Sequence, residues 1–222
     1  MDSRLKTAIL IGAGNLGFNL GLALNKKGIK IKQVFSKSTE SAKKLAALTG
    51  ADYSANLNDI TEDAGFIIIA VPDDEINAVI QQVNFRQSLA VHTAGSVAME
   101  IFRGKAKNYG VLYPLMTFSR NKPVDFTAIP LLIEANSSES TLNLENIARL
   151  LSHDVLLINS EQRMYIHLAA VMACNFPNHL YALASYILSQ HGIGFDILKP
   201  LIRRQQKKYS TCHLRRRRQG LQ

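Results

Sequence analysis

The chain has 222 residues, of which 47% are hydrophobic and 19% are charged, so it is long enough for one large or two small domains with a packed core. This balance excludes disordered, collagen-like and coiled-coil proteins. Two cysteines, Cys174 and Cys212, are too few for a disulfide framework and favour a reducing compartment. The net charge of +9 belongs to the end of the chain, because residues 203–222 carry eight Lys or Arg and no acid. Residues 1–202 are therefore nearly neutral.

Apolar patterns before Ser160 alternate between strand and helix. Residues 7–11 form an apolar run that glycine ends, and residues 15–27 repeat leucine and alanine at helical spacing. The run 66–71 is apolar throughout, which is typical of a strand buried on both faces of a parallel sheet. The predicted strands are 7–11, 30–35, 51–53, 66–71, 89–92, 110–112, 129–134 and 155–158, and the predicted helices are 15–27, 39–49, 75–82 and 142–151. This order predicts an α/β fold with a doubly wound sheet of the Rossmann type.

The pattern changes after Ser160, because residues 161–190 show no strand signal and are apolar at helical intervals, with Pro177 as the breaker. We predict a sheet domain over residues 1–160, the start of an all-helical second domain over 161–202, and a basic tail over 203–222. Polar residues interrupt the apolar stretches, so no membrane span or export signal is expected. The chain is expected to be soluble and cytoplasmic.

A complete GxGxxG motif, GAGNLG, lies between the first strand and the first helix. The first glycine permits a tight turn, the second lets a diphosphate approach the backbone, and the third lets the helix pack on the strand. Free amides and the helix dipole then face the anion. The alternative is a glycine-rich turn that binds nothing. The predicted diphosphate-binding residues are Gly12, Gly14, Asn15, Leu16 and Gly17.

The end of the second strand favours NADP over NAD. An NAD site carries an acid about twenty residues after the glycines, whereas this chain has Ser36, Lys37 and Ser38, which suit a 2′-phosphate. The alternative is that Lys37 is a solvated surface lysine and Ser38 only a helix cap. Val71 and Pro72 end the most buried strand, where their backbone either borders the cofactor or begins a helix.

The order of these motifs resembles a bacterial family with a Rossmann-like domain followed by a DUF2520 helical domain. The resemblance covers residues 5–202 and is carried by segments 7–17, 66–73, 91–96 (VHTAGS), 113–119 (YPLMTFS) and 163–178 (RMYIHLAAVMACNFPN). Members are considered NADP oxidoreductases, and they are more distantly similar to pyrroline-5-carboxylate reductases and β-hydroxyacid dehydrogenases. The resemblance implies a helical domain that supports a homodimer and a cleft between the domains for a small substrate.

Four polar residues are candidates for catalysis. His92 and Ser96 match the HxxGS segment of the family, and His167 and Asn175 match its YHxAA…N helix, although Ile166 separates Tyr165 from His167. Reduction of a carbonyl or imine needs a proton donor, and histidine suits neutral pH. On an unbroken helix Asn175 would lie about 80° from His167, so both could point into one cleft.

Each candidate has a structural alternative. The imidazole of His167 could be a core group that is hydrogen-bonded to a backbone carbonyl. Ser96 could cap a helix beginning at Val97. His92 could be a strand residue whose ring nitrogens are hydrogen-bonded to nearby groups. The segment 113–117 lies either on the substrate side or in the core. The Lys-x-x-x-Asn pair of the distant dehydrogenases is incomplete, because Val171 stands four residues before Asn175. No metal site is expected, since the remaining histidines share no spacing with carboxylates.

The expected function is hydride transfer between NADP(H) and a small carbonyl or imine substrate. The alternative is a non-catalytic NADP-binding regulatory protein. A nucleic-acid-binding role would rest on the basic tail alone and is disfavoured. We hypothesise that residues 203–222 are read out of frame, because codons able to encode them read as ordinary helix in a neighbouring frame. The helical domain would then be truncated, and inspection of the gene tests this.

Overall fold

The computed structural model describes residues 3–60, 64–119 and 124–218. In these residues eight strands form one sheet, in the order β3-β2-β1-β4-β5-β6-β7-β8. The strands are β1 (Thr7–Ile11), β2 (Lys30–Phe35), β3 (Asp52–Ser54), β4 (Phe66–Ile69), β5 (Leu89–His92), β6 (Asn108–Pro114), β7 (Leu131–Ala135) and β8 (Val155–Leu157). All neighbouring pairs are parallel except β6 and β7, which are antiparallel. The Rossmann-type sheet is confirmed.

Helices cover both faces of the sheet. They are α1 (Asn15–Lys26), α2 (Thr39–Thr49), α3 (Ile76–Gln82) and α4 (Ser138–Leu151), followed by α5 (Ser160–Ala170). Residues of α1, α2 and α4 share one hydrophobic cluster with Leu10 of β1, whereas residues of α3 share another with Ile9 and Ile11. Successive β1 side chains point to opposite faces, so this strand is buried on both sides. The doubly wound arrangement follows from these two clusters.

Most predicted elements are confirmed, and the differences have local causes. Pro130 has no N–H to donate to a ladder, and β7 begins one residue later. Helix α4 starts at Ser138 because the Ser137 side chain accepts from the Ser140 amide at 3.1 Å. The helix predicted over 75–82 begins at Ile76 and has no side-chain cap, since Asp73 and Asp74 lie in a preceding 3-10 turn.

The chain divides into two compact units, Met1–Ala169 and Ala170–Gln222. The second unit contains a π-helical segment (Val171–Asn175), α6 (Phe176–Ser189), a 3-10 turn (Phe195–Leu198) and α7 (Lys199–Arg218). Its helical character is confirmed. The predicted divisions at Ser160 and at residue 203, and the frameshift hypothesis, stay predictions. Within the described residues, no helix combines the length and apolarity that a membrane crossing needs.

Candidate active site

Four parallel strands bring their carboxyl ends to one edge of the sheet. Strands β1, β4, β5 and β6 run in the same direction and lie side by side, so the segments that follow them meet there. Backbone hydrogen bonds tie these ends together: the Ala70 amide donates to Ile11 at 2.7 Å, and the Thr93 amide donates to Ile69 at 3.1 Å. In open α/β sheets, this edge is where ligands bind.

The glycine turn between β1 and α1 is closely packed at two glycines and open at the third. Gly12 has φ +105°, and a Cβ there would lie 2.3 Å from the Ala70 carbonyl oxygen. A Cβ on Gly17 would lie 1.9 Å from the Gly12 carbonyl oxygen, whereas one on Gly14 would meet no atom within 4 Å.

The start of α1 has the features of an anion site. Gly14 is the N-cap of α1 and supplies no capping side chain. The first amides of a helix have no intrahelical partner, so they are left for an anion. The open approach at Gly14 and the uncapped helix start together fit a dinucleotide diphosphate.

The loop after β2 carries the residues predicted to hold a 2′-phosphate. Ser38 caps α2, because its Oγ accepts from the Ser41 amide at 3.3 Å. The Lys37 ammonium lies 2.9 Å from the Glu75 carboxylate, and its side chain is 79% exposed. No sequence pattern predicts this ion pair, since the two residues belong to loops that follow different strands.

The segment after β4 contacts the segment after β5. Val71 is half-buried and Pro72 is exposed, and the Ser96 hydroxyl donates a hydrogen bond to the Asp73 carboxylate. The alternative that Ser96 caps a helix at Val97 is wrong, because the next helical turn is the 3-10 turn Met99–Phe102, with Ala98 as its N-cap.

Tyr113 on β6 and His167 on α5 are joined by a hydrogen bond. The Tyr113 hydroxyl lies 2.9 Å from His167 Nδ1, and the two rings meet edge to face at 77°. Burial raises the pKa of Tyr113, the Asp73 carboxylate adds to this, and the Arg163 guanidinium opposes it. The phenol therefore stays protonated at neutral pH. The sequence could place Tyr113 at this edge but could not pair it with His167.

His92 is enclosed by the core. Its side chain has no exposed surface, its ring stacks on Phe102, and its Nδ1 accepts from the Ala94 amide at 3.2 Å. Burial lowers the pKa of His92 to about 3, the Arg163 charge adds to this, and the nearby Ala98 carbonyl opposes it. The ring is neutral and fully enclosed, so it presents no surface to a substrate.

Asn175 belongs to the second unit, where it ends the π-helical segment Val171–Asn175. The helix is therefore not an unbroken α-helix between His167 and Asn175, and the 80° expected for an unbroken helix does not apply. Pro177 lies just beyond and cannot donate a backbone hydrogen bond, a common cause of such irregularity. Among the described residues, no group of three His, Cys, Asp or Glu side chains could hold a metal ion.

Comparisons with known proteins identify the family. Residues 6–96 match the family described as NADP oxidoreductase coenzyme F420-dependent, and residues 129–217 match a domain of unknown function, DUF2520. The crystal structure of a "putative NADP oxidoreductase" from Bacteroides fragilis is 42% identical, with a TM-score of 0.87 over 92% of this chain and 81% of that one. The chain belongs to this family of NADP oxidoreductases with a DUF2520 domain. The resemblance inferred from the sequence is confirmed.

More distant structures share the fold of this NADP oxidoreductase family member. An imine reductase from Myxococcus stipitatus in complex with NADP⁺ is 18% identical, with a TM-score of 0.67 over 96% of this chain and 78% of that chain. A pyrroline-5-carboxylate reductase from Coxiella burnetii is 17% identical, with a TM-score of 0.63 over 94% of this chain and 79% of that chain. No curated protein matches the chain.

Proposed function

We propose that this protein is an NADP-dependent oxidoreductase that transfers a hydride between NADP(H) and a small carbonyl or imine substrate. The observation that carries the proposal is the 2.9 Å hydrogen bond between Tyr113 and His167, at the same edge of the sheet as the glycine turn. A dinucleotide-binding turn alone is compatible with a binding protein. A phenol that stays protonated, beside an imidazole, supports proton transfer as well.

The cofactor would be held by backbone amides and by one cation. The amides of Asn15, Leu16 and Gly17, at the start of α1, would bind the diphosphate, with Gly12 and Gly14 shaping the turn. Lys37, with the hydroxyls of Ser36 and Ser38, would bind the 2′-phosphate. Val71 and Pro72 would border the nucleotide from the end of β4. When bound, the dinucleotide supplies or accepts the hydride.

Tyr113 would deliver the proton to the substrate oxygen or nitrogen. As its hydroxyl loses that proton, the Nδ1–H of His167 would donate to the phenolate oxygen and restore the phenol, while Nε2 of the same ring takes up a proton from solvent. Ser96, bonded to Asp73, and Asn175 remain the groups proposed to orient the substrate. We assign His92 a packing role, because a buried ring with a pKa of about 3 cannot supply a proton near neutrality.

Substitution of the two proton-transferring residues tests the proposal. NADPH consumption is measured against a panel of imines, ketones and 2-keto acids, and NADPH affinity is measured by calorimetry. Tyr113→Phe and His167→Gln should lower kcat about 100-fold or more and leave the Kd for NADPH within about 3-fold. NADPH binding without turnover of any substrate by the wild-type protein would support a regulatory protein instead. If the wild-type protein does not bind NADPH, both the oxidoreductase and the regulatory interpretation are overturned.

We also propose that the second unit pairs with a second copy of the chain. Four α6 residues recur at helical spacing and are exposed, namely Phe176 (57%), Leu180 (61%), Leu183 (46%) and Ile187 (60%). An apolar stripe of this kind marks an interaction surface. Leu183→Asp should convert a dimer into a monomer in sedimentation experiments, whereas Ser189→Asp, at the end of α6, should not. If the wild-type protein sediments as a monomer, the proposed pairing is overturned.

A further inference from the structure

A buried arginine lies at the start of the helix that carries His167. Arg163 is 1% exposed, and its guanidinium donates to the Glu134 carboxylate at 2.5 Å and to the Val97 carbonyl at 2.6 Å. It also donates to the Ser160 hydroxyl at 3.1 Å. Ionised side chains are rarely buried without a specific partner, and here the partners come from three separate segments of the first unit.

The same partners bind one another, so the first turn of α5 is fixed from several sides. The Ser160 amide and hydroxyl donate to the Glu134 carboxylate at 2.9 and 2.6 Å. The Met99 amide in turn donates to the Ser160 hydroxyl at 3.0 Å. This network joins α5 to β7 and to the segment that follows Ser96. The two terminal nitrogens of Arg163 bind different acceptors, Nη1 the Glu134 carboxylate and Nη2 the Val97 carbonyl, and this restricts the orientation of the guanidinium as well as its distance.

His167 lies one helical turn beyond Arg163 and on the same side of α5. Its ring contacts Gly95, two residues before the Val97 carbonyl that Arg163 binds, and its Nδ1 reaches Tyr113. A small rotation of α5 would therefore separate Nδ1 from the Tyr113 hydroxyl. Hydrogen bonds are lost over a few tenths of an ångström beyond about 3.2 Å.

We propose that Arg163 is a positioning residue, which fixes the rotation of α5 so that His167 meets Tyr113. The inference rests on the proposed function, since it concerns the same pair of residues. It assigns a role to a side chain that touches neither the glycine turn nor the Tyr113 hydroxyl in the described contacts. Its partner Glu134 serves the same role from β7.

A competing explanation for any effect of Arg163 on activity is its positive charge, because Arg163 also acts electrostatically on the Tyr113 hydroxyl. The groups that act on the Tyr113 hydroxyl are Asp73, Arg163 and the imidazole of His167. Arg163→Lys separates the two explanations, because lysine keeps the positive charge but cannot make the forked contacts to Glu134 and Val97. If Arg163 acts by positioning, Arg163→Lys should lose activity. If it acts by charge alone, Arg163→Lys should keep activity.

The test compares Arg163→Lys with Arg149→Lys in the full-length protein. Arg149 pairs with Glu145 at 2.6 Å on the exposed face of α4 and is the matched control. We expect Arg163→Lys to lower kcat about 10-fold or more, with the NADPH Kd within about 3-fold and the pH profile of kcat/KM unchanged. The same variant should move the His167 Nδ1 signal in nitrogen NMR towards that of Tyr113→Phe. Arg149→Lys should match the wild type in every measurement.

Two results would overturn the proposal. One is wild-type kcat and a wild-type His167 signal in Arg163→Lys, and the other is a loss of kcat with the His167 signal unchanged. If Arg163→Lys fails to fold, the double variant Arg163→Met/Glu134→Gln removes both charges of this ion pair and is compared in the same way. The NMR signal needs no turnover, so the positioning role stays testable if the proposed function fails.

Discussion

The His167 imidazole lies directly against Gly95. A Cβ at position 95 would be 2.6 Å from both Cγ and Nδ1 of that ring, closer than real Cβ contacts come. Nδ1 is the atom that meets the Tyr113 hydroxyl, so the absence of a side chain at position 95 is what gives the imidazole its place. This relationship links the loop after β5 to the proposed proton transfer.

Gly95→Ala should therefore displace His167 and lower kcat about 10-fold or more, because a 1 Å shift of a reacting group is costly. Steady-state assays and an NADPH titration check this, and the NADPH Kd should change little. Gly194→Ala is the matched control, since a Cβ there meets no atom within 4 Å and its φ is −74°. Wild-type kcat in Gly95→Ala would show that His167 is not needed where it lies.

The Lys37–Glu75 ion pair predicts an adjustable preference between NADPH and NADH. Glu75 lies 2.9 Å from the ammonium proposed to bind the 2′-phosphate, so its carboxylate competes with that phosphate. Glu75→Gln should raise the ratio of kcat/KM for NADPH over NADH about 2- to 5-fold, the range expected for an exposed pair. Asp74→Asn removes a neighbouring charge without touching Lys37 and should leave the ratio near the wild-type value. An unchanged ratio in Glu75→Gln would place the 2′-phosphate elsewhere.

His92 predicts how folding stability falls in acid. Its pKa is lowered from 6.5 to about 3 in the folded state, so below pH 6.5 the unfolded chain binds a proton at His92 that the folded chain does not bind. The contribution of His92 to the free energy of unfolding is therefore present above pH 6.5. It is lost as the pH falls towards 3, by about 1.4 kcal/mol per pH unit. Urea unfolding between pH 7 and 4 should show a shallower loss for His92→Asn, whose amide oxygen can still accept from Ala94. Identical slopes would contradict the prediction.

The sequence predicted the sheet well, because the pattern that defines a buried strand is local. The ranges 7–11, 30–35 and 89–92 coincide with β1, β2 and β5. The enclosure of His92 could also have been predicted, since it ends an apolar run in a central strand with neighbours on both sides.

The contacts that build the candidate site could not be predicted in the same way. Tyr113 and His167 are 54 residues apart, and Arg163 and Glu134 are 29 apart, so no periodicity connects them. They meet because α5 contacts residues of β6 and β7 and of the segment after β5, and these are brought together by the strand order. No pattern in the sequence indicates a role for Arg163, and the role is inferred from its burial against Glu134 and Val97.

Alanine substitutions at two glycines of the same turn should affect different properties, NADPH affinity at Gly14 and folding stability at Gly17. Gly14→Ala adds a methyl group in open space, so unfolding free energy should change by no more than about 1 kcal/mol, while the NADPH Kd rises about 10-fold because that space is needed by the diphosphate. Gly17→Ala would force a Cβ to 1.9 Å from the Gly12 carbonyl oxygen and should lower the unfolding free energy by about 1–3 kcal/mol or more. Urea unfolding and calorimetric NADPH titration measure both quantities. Wild-type NADPH affinity in a well-folded Gly14→Ala protein would show that the diphosphate does not approach this turn, and the cofactor assignment would fail with it.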